Sequence, residues 1–229
     1  MEENLTLIGL HIRLEPLSHC HIDGLTAAAA GDPSLYRWSP VPQGKDQAAA
    51  YIDTALAWSD AGTAVPFAIV NASDGAVLGS TRFWNIERWA WPVGHARHRR
   101  HMQSEYPLLA KDARNGAPTA ATLPDACEIG YTWLTRSAIR TAVNTEAKSL
   151  MLMHAFESWG VLRVCLHTDA RNQRSRTAIE RIGGKFEGIL RAHRMAADYI
   201  PRDSMRFSIV AAEWPEVKER LRLLLDCKG

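Results

Sequence analysis

The stretch that decides the fold runs from Glu128 to Lys148 and reads E-I-G-Y-T-W-L-T-R-S-A-I-R-T-A-V-N-T-E-A-K. It predicts an apolar β-strand that passes through a short basic loop directly into an α-helix. The first turn of a helix leaves backbone N–H groups unpaired, and the loop places Arg136 and Arg140 beside them. The stretch therefore predicts an anion-binding site, and a phosphorylated cofactor is the first hypothesis for its ligand.

The composition is that of a folded, nearly neutral protein. The chain has 229 residues, of which 46% are hydrophobic, so it suits one large domain or a domain with one long insertion. Its formal charge of +2 gives no overall reason to expect nucleic acid, although local basic patches remain open. It shows neither a secretion signal nor an apolar stretch long enough to span a membrane. Because its four cysteines are widely scattered, we expect reduced thiols and a cytoplasmic protein.

The periodicity of the sequence predicts a mixed sheet flanked by helices. Beyond residue 128 the elements alternate strand, helix, strand, helix, and this crossover implies two parallel strands. Residues 86–126 lack periodicity and are interpreted as a long insertion or loop in a single domain of residues 1–229. The predicted strands are 5–14, 65–71, 77–84, 128–134, 163–168, 186–195 and 204–211, and the predicted helices are 19–30, 46–59, 143–159, 173–182 and one that begins at Pro215.

Four motifs together resemble the GNAT N-acetyltransferases, and within them the Rim-type branch of ribosomal-protein N-terminal (alanine or serine) acetyltransferases. They are the strand E-I-G-Y-T-W-L with its loop into V-N-T-E-A-K, the turn D-A-R-N-Q-R-S-R, the strand E-G-I-L-R, and the strand R-D-S-M-R-F-S-I. The resemblance covers nearly all of residues 5–226 except 86–126. It implies an α/β (α+β) fold with a twisted, mixed sheet of about seven strands. Two central parallel strands would splay apart to admit acetyl-CoA, and an acceptor amine would enter from the opposite side.

The loop departs from the family pattern Q/R-x-x-G-x-G/A, because Arg140 occupies the first glycine position. Either the loop keeps an ordinary φ here or the contact with the cofactor is altered. Ala142 fits the second glycine position, and Val143 begins the helix that would face the phosphates. Arg140 could pair with phosphate directly, and Thr141 could cap the helix or donate its hydroxyl to the pyrophosphate. The alternative is that Arg140 is a surface residue and Thr141 only a structural cap.

The resemblance also implies how the rest of acetyl-CoA is held. Backbone groups of the strand would bind the pantetheine, and an amide near Trp133 or Leu134 would polarise the acetyl carbonyl. Tyr131 and Trp133 share one strand face, where they either line the cleft or belong to the core.

The turn that begins the helix at residue 173 supplies further candidates. Asn172 could cap this helix and bind the pantetheine amides, or act as a cap alone. Ser175 corresponds to the hydroxyl that Rim-type enzymes are proposed to place beside the CoA sulfur, where it would protonate the leaving thiolate. The nearby arginines either meet the 3′-phosphate of CoA or form a solvated basic helix start; they are Arg171, Arg174 and Arg176.

Glu128 is the candidate for the base that collects the amine proton through water, the alternative being a solvated strand end. Since an α-amino group has a pKa near 7.7–8.0 and a lysine near 10.4, a weakly equipped site favours N-terminal or other low-pKa amines. His154 lies on the apolar face of its helix and is expected to pack rather than react.

The histidines at positions 95, 98 and 101 have the spacing of metal ligands, but the arginines between them disfavour a cation, so we expect no metal. Residues 94–116 carry a net charge of +3 and could contact a protein or RNA surface such as a ribosome, or form a solvated loop.

The leading hypothesis is direct acetyl transfer from acetyl-CoA to a protein N-terminal amine. One alternative acceptor is a small-molecule amine, such as an amino acid, a polyamine or an antibiotic. The alternative from another class is a catalytically weak acyl-CoA-binding module, which would bind CoA without turnover. The oligomeric state stays open, with a homodimer among the options.

Overall fold

The computed structural model describes residues 5–31, 33–93, 95–97, 123–196 and 199–227. Its strands are β1 Leu7–Ile8, β2 Ile12–Pro16, β3 Val65–Asn71, β4 Val77–Glu87, β5 Ala126–Leu134, β6 Arg163–Asp169, β7 Lys185–Met195 and β8 Pro201–Val210. Its α-helices are α1 Ile22–Ala29, α2 Lys45–Asp60, α3 Val143–Met153, α4 Gln173–Arg181 and α5 Trp214–Asp226.

The strands in the described residues form one mixed sheet with the order β1-β2-β3-β4-β5-β6-β8-β7. Neighbouring strands are antiparallel except β5 and β6, which are parallel, as the crossover through α3 predicted. The predicted fold class is confirmed. The sheet has eight strands in this part of the chain rather than about seven, because the N-terminal segment forms a hairpin.

A strand was predicted over residues 5–14 with one irregularity at Gly9. The irregularity is a complete turn, so that β1 and β2 are separate and antiparallel. The turn between them is fastened to α3. The backbone N–H groups of Leu10, His11 and Ile12 donate to the carboxylate of Glu146 at 2.6, 2.9 and 3.0 Å. The N–H groups of this turn therefore bond to a carboxylate that lies far away in the sequence. The local pattern had predicted a strand at this place.

The sheet is covered by helices on both faces. On one face α1 and α2 pack around Leu25 and Ile52. On the other face α3, α4 and α5 contribute Met151, Ile179 and Leu221 to a larger apolar cluster. Both layers hold the central strands in place from opposite sides.

The helix predicted over residues 143–159 is present as α3 followed by a π-helical turn, His154–Trp159. His154 is buried and its ring lies against those of Phe83 and Trp159, with centroids 6.1 and 4.9 Å apart. Burial lowers the pKa of His154 to about 4. The expectation that this histidine packs in the core is confirmed.

The two central strands pair over only three residues each. Ala126, Cys127 and Glu128 lie opposite Arg163, Val164 and Cys165. Beyond this point β5 continues along β4, while β6 continues along β8. The two strands therefore diverge after Glu128 and Cys165, and the backbone edge of β5 turned toward the gap has no strand partner among the described residues.

The segment expected to be irregular, 86–126, is flanked by longer strands than predicted, since β4 extends to Glu87 and β5 begins at Ala126. Residues 94 and 98–122 lie outside the described residues, and with them most of the basic 94–116 segment. Asp125 is fully buried and accepts hydrogen bonds from the Trp89 amide, the Trp91 indole and the Arg97 guanidinium at 2.8, 2.9 and 3.2 Å. This carboxylate connects the start of the segment to its end.

Among the residues that the structure describes, every helix is too short or too polar to span a membrane.

Candidate active site

A β-bulge shapes β5 where the gap opens. Ser80 of β4 lies opposite Trp133 and Arg82 lies opposite Gly130, so β5 holds one extra residue between these pairs. Tyr131 takes up the extra length with a φ of +52°. The bulge shifts the alternation, and it places the side chains of Glu128, Tyr131 and Trp133 on the sheet face that carries α2.

Tyr131 and Trp133 nevertheless meet different surroundings. Trp133 is buried among the apolar residues under α1 and α2, and its ring lies edge-on to Tyr36 at 5.9 Å. Tyr131 is only half-buried, and its ring lies 5.4 Å from Trp58 and 5.5 Å from Trp84. Of the two alternatives, the Trp133 side chain belongs to the core, while Tyr131 borders the gap.

The basic loop has the backbone shape that a glycine would give. Arg140 has a φ of +67°, so the alternative that the loop keeps an ordinary φ is wrong. The Thr141 hydroxyl donates to the carbonyl of Ala138 at 2.7 Å and accepts the N–H of Val143 at 3.3 Å. Ala142 is the N-cap residue of α3, and among the described residues no side chain caps the helix there. Thr141 accepts the first N–H group of the helix and holds the loop together. Arg136 and Arg140 are both exposed, and both belong to the loop that leads into the N-terminus of α3.

A groove of about 440 Å³ borders this loop. The loop side of its wall includes Ser137, Ala138, Thr141, Ala142 and Val143. The N–H groups of the first turn of α3 have no carbonyl partners within the helix, and its dipole favours negative charge. The shape and charge of the loop therefore fit a phosphate group.

Glu128 is buried, so the alternative of a solvated strand end is wrong. Its Oε2 atom lies 3.0 Å from Nδ1 of His167 and 3.3 Å from a terminal nitrogen of Arg194. Burial raises the pKa of Glu128, but the contact with His167 and the charges of Arg194 and His193 outweigh it and hold the pKa below its usual value. The carboxylate is ionised at neutral pH.

A second irregularity brings Arg194 to this place from the far edge of the sheet. Leu190 of β7 pairs with Ser204 and Arg194 pairs with Arg202, so β7 holds two extra residues there. Ala192, within this bulge, has a φ of +46° and donates its N–H to Asp203 at 2.8 Å. The bulge turns the end of β7 over the sheet face, toward β5.

His193 arrives with the same bulge. Its ring centroid lies 5.3 Å from that of His167. Burial, and then the charge of Arg194, lower the pKa of His193. This imidazole is therefore neutral at pH 7, beside the ionised carboxylate of Glu128.

The turn before α4 matches the sequence prediction for Asn172, whose side chain accepts the N–H of Ser175 at 3.1 Å as a helix cap. Ser175 lies half-buried in the first turn. The neighbouring arginines have partners within the protein. Arg171 pairs with Asp169 at 2.7 Å, and Arg174 donates to the carbonyl of Leu35 at 2.8 Å. Their contacts favour a structural role for these two side chains.

Sequence reasoning missed His167, His193 and Arg194 as neighbours of Glu128. A signal for His167 was present, since it shares a face of β6 with Cys165, and Cys165 pairs with Glu128. The other two depend on the bulge in β7, which local sequence does not specify. Within the described residues no group of three His, Cys, Asp or Glu side chains is arranged to hold a metal ion.

The chain is similar to acetyltransferases both in its sequence pattern and in its fold. A family model described as an acetyltransferase (GNAT) domain matches residues 11–185. No curated protein sequence matches the chain significantly. The structure is similar to a GCN5-related N-acetyltransferase from Brucella melitensis, with a TM-score of 0.75 and 24% identity over 97% of this chain and 86% of that one.

Two further solved structures are similar in fold. The first is RimJ of Mycobacterium smegmatis in complex with CoA-disulfide, with a TM-score of 0.71 and 20% identity over 96% of this chain and 95% of that one. The second is the ribosomal-protein-S5-alanine acetyltransferase of Vibrio fischeri, with a TM-score of 0.63 and 13% identity over 92% and 99% of the two chains. At these identities the likeness is one of fold.

Proposed function

The chain belongs to the GNAT acetyltransferase family, and from this premise we propose that it transfers the acetyl group of acetyl-CoA to the α-amino group of a protein N-terminus. The observation that carries the proposal is the buried, ionised Glu128 among cationic groups, at the point where β5 and β6 diverge. The Rim-type enzymes among the structural relatives support a protein acceptor.

The charges around Glu128 favour an amine of low pKa. The amine must be neutral to attack a thioester, and cations such as Arg194 beside it disfavour its protonated form. An α-amino group needs only a small shift to be neutral at pH 7, whereas a lysine needs several pKa units. Glu128 is a carboxylate with a lowered pKa and therefore a weak base. It suffices to accept a proton from an α-amino group but not from a lysine.

In the proposed reaction the amine nitrogen attacks the carbonyl carbon of the thioester, and the carbon–sulfur bond breaks. The nitrogen loses a proton through water to Glu128. Ser175 donates a proton to the departing thiolate and regains one from solvent. Since a thiol has a pKa near 8.5, this assistance is modest, and loss of Ser175 should slow the reaction without abolishing it.

The residues that would hold acetyl-CoA surround the gap. The edge of β5 beyond Glu128, which has no strand partner in the described part of the chain, would bind the pantetheine through backbone groups. An amide near Trp133 or Leu134 would polarise the carbonyl. Asn172 would bind the pantetheine from α4. The loop would hold the pyrophosphate with the residues Arg136, Arg140, Thr141, Ala142 and Val143.

We also infer a cytoplasmic location, which the free thiols of all four cysteines support. Contact with the ribosome through residues 94–116 and formation of a homodimer stay predictions.

The test uses the purified full chain with acetyl-CoA and three separate acceptor panels: peptides with free N-termini, amino acids, and other small amines. Free thiol release is measured, and mass spectrometry locates the acetyl group. The matched control peptides carry a blocked N-terminus and a free lysine. We expect thiol release with the free N-termini and none with the blocked peptides.

Turnover of small amines alone would overturn the protein N-terminus as the acceptor. Tight binding of acetyl-CoA without turnover on any panel would identify a binding module instead.

A further inference from the structure

Arg82 lies in the middle of β4 and only 1% of its surface is exposed, which is unusual for an arginine. Its guanidinium lies over the rings of Tyr51, Trp58 and Tyr131 at 4.9, 5.2 and 4.4 Å from their centroids. All three rings are themselves half-buried. The cation therefore sits beneath a layer of aromatic side chains that reaches the surface.

The guanidinium lacks the partners that a buried cation requires. Its Nε and one of its terminal nitrogens are buried, and they make no hydrogen bond within the described residues. No acidic side chain of the described ranges forms an ion pair with Arg82. Contacts with aromatic rings stabilise a desolvated cation only in part. An unpaired buried charge costs several kcal/mol, so an anion that completes this site would be strongly favoured.

The position of Arg82 connects it to the catalytic carboxylate. Arg82 pairs with Gly130 across the sheet, and Trp84 pairs with Glu128, so the two charged side chains are two residues apart on one sheet face. This spacing corresponds to about 7 Å along the strands. The ring of Tyr131 contacts both Arg82 and Trp84. The two charges thus lie on the same face of the sheet, close to the point where the gap opens.

The surroundings of this face hold an excess of positive charge. Arg194 pairs with Glu128 and lies 5.9 Å from the ring of Trp84. Arg202 is half-buried, donates to Ser204 at 3.1 Å, and lies close enough to Glu128 and Tyr131 to interact with them. Three arginines therefore share this region with Glu128 as its central carboxylate. A second negative charge would reduce this excess of positive charge.

We propose that Arg82 binds a carboxylate of the acceptor, so that the favoured substrates carry a carboxylate a few bonds from the reacting amine. The inference rests on the proposed acetyl transfer and deepens it. The amine would lie beside Glu128 and the carboxylate beside the aromatic layer. A peptide that begins with Asp or Glu has this chemistry, and so does a free amino acid.

The first test uses the unaltered full chain and matched acceptor pairs that differ by one charge. Peptides that begin with Asp or Glu are compared with peptides that begin with Asn or Gln, and free alanine with alaninamide. In either the peptide pairs or the amino-acid pair, we expect kcat/KM to be at least about 30-fold higher for the acceptor with the carboxylate. This is the size of effect that a buried charge pair gives. The peptide pairs and the amino-acid pair separate the two sources of the carboxylate.

The second test compares R82Q and R82K with R13Q, which alters a half-buried arginine on the remote strand β2. In R82Q we expect the preference for the carboxylate member to fall to within about 3-fold, with unchanged acetyl-CoA affinity. R82K should retain part of the preference, and R13Q all of it.

The outcomes separate this inference from the proposed function. Equal turnover of carboxylate and amide acceptors by the unaltered protein would overturn the role of Arg82 and leave acetyl transfer intact. An equal loss for both acceptor types in R82Q would assign Arg82 to the core. If R82Q fails to fold, the preference of the unaltered protein decides the matter. Absence of thiol release with every acceptor would overturn the proposed function itself.

Discussion

The Nδ1 atom of His167 lies 3.0 Å from the Oε2 atom of Glu128, at the point where two parallel strands part. Glu128 belongs to β5 and His167 to β6, so the contact forms where these two strands diverge. Arg194 approaches the same oxygen from β7 at 3.3 Å. The carboxylate is therefore held ionised and in one place, which a proton acceptor requires.

Glu128→Gln removes the charge and keeps the shape of this side chain. We expect kcat to fall about 100-fold, because a general base typically contributes about 10²- to 10⁴-fold and this one is weak. The KM for acetyl-CoA should change less than about 2-fold. Steady-state thiol release with the best peptide acceptor measures both constants. The matched control is Glu187→Gln, which alters a carboxylate of β7 that is paired with Arg163 of β6.

The pH dependence of kcat/KM provides a second test of Glu128→Gln. Since the pKa of Glu128 is lowered, its carboxylate is already ionised well below pH 7. We expect kcat/KM to rise with pH through the neutral range as the amine becomes neutral, and the variant should keep that rise at a lower level. A kcat within about 3-fold of the unaltered protein would remove Glu128 from the mechanism.

Arg140 combines a charge with a left-handed backbone, and two substitutions separate these properties. In Arg140→Glu we expect acetyl-CoA to bind about 10-fold more weakly, since a charge-assisted contact is lost. In Arg140→Gly we expect a smaller loss and a gain in unfolding free energy of about 1 kcal/mol, because glycine adopts a φ of +67° without strain. Calorimetric titration and thermal unfolding measure the two effects.

Arg220→Glu reverses an exposed charge on α5 and serves as the control. Unchanged acetyl-CoA affinity in Arg140→Glu would show that the loop is not the phosphate site.

Glu146 holds the N-terminal hairpin through three backbone N–H groups, and Glu146→Gln tests this contact. An amide oxygen accepts such bonds more weakly, and the amide nitrogen would face other donors. We expect the unfolding free energy to fall by about 2–4 kcal/mol. Gly9→Ala should act on the same contact, because its Cβ would lie 2.6 Å from Cδ of Glu146. Urea unfolding measures both variants.

The exposed carboxylate of Glu180 on α4 provides the control Glu180→Gln. Losses below about 0.5 kcal/mol in Glu146→Gln would mean that the hairpin does not depend on this carboxylate.

The sequence predicted the elements whose patterns are local. The strand β5, the loop and α3 follow from an apolar run, basic residues and helical periodicity within 21 consecutive residues. The N-terminal hairpin does not follow from a local pattern, because its turn is fixed by Glu146, more than 130 residues away. Local patterns carry no information about such a partner.

The candidate site shows the same division. Glu128 and Asn172 could be named as candidates because each stands at the end of a predictable element. Arg82 was not among the candidates, since an arginine in a strand normally faces solvent. Here it is covered by Tyr51 and Trp58 of α2 and by Tyr131 of β5. Arg194 was missed because two extra residues in β7 turn it toward the site. Bulges and helix packing are tertiary features that strand periodicity does not predict.

Lys148 is a buried lysine of α3 whose Nζ donates to the Thr132 hydroxyl at 2.5 Å. Burial lowers its pKa to about 7, from an ordinary value of 10.5. Between these values the unfolded chain binds a proton that the folded protein does not, so the contribution of Lys148 to stability rises with pH from 7 to 10.5. At or below pH 7 the folded protein bears the full cost of the buried charge.

Lys148→Met should therefore stabilise the protein most at or below pH 7, by about 4 kcal/mol at most, and the gain should shrink as the pH rises toward 10. Urea unfolding at pH 6, 7, 8 and 9 measures the difference, with the exposed Lys45→Met as control. Loss of the bond to Thr132 lowers the gain equally at every pH, so the slope carries the test. A difference between Lys148→Met and the unaltered protein that stays constant from pH 6 to 9 would show that the lysine does not titrate in this range. In that case its charge is accommodated by the fold, and Thr132 and the neighbouring Thr81 hydroxyl, 2.8 Å from that of Thr132, would be the groups that solvate it.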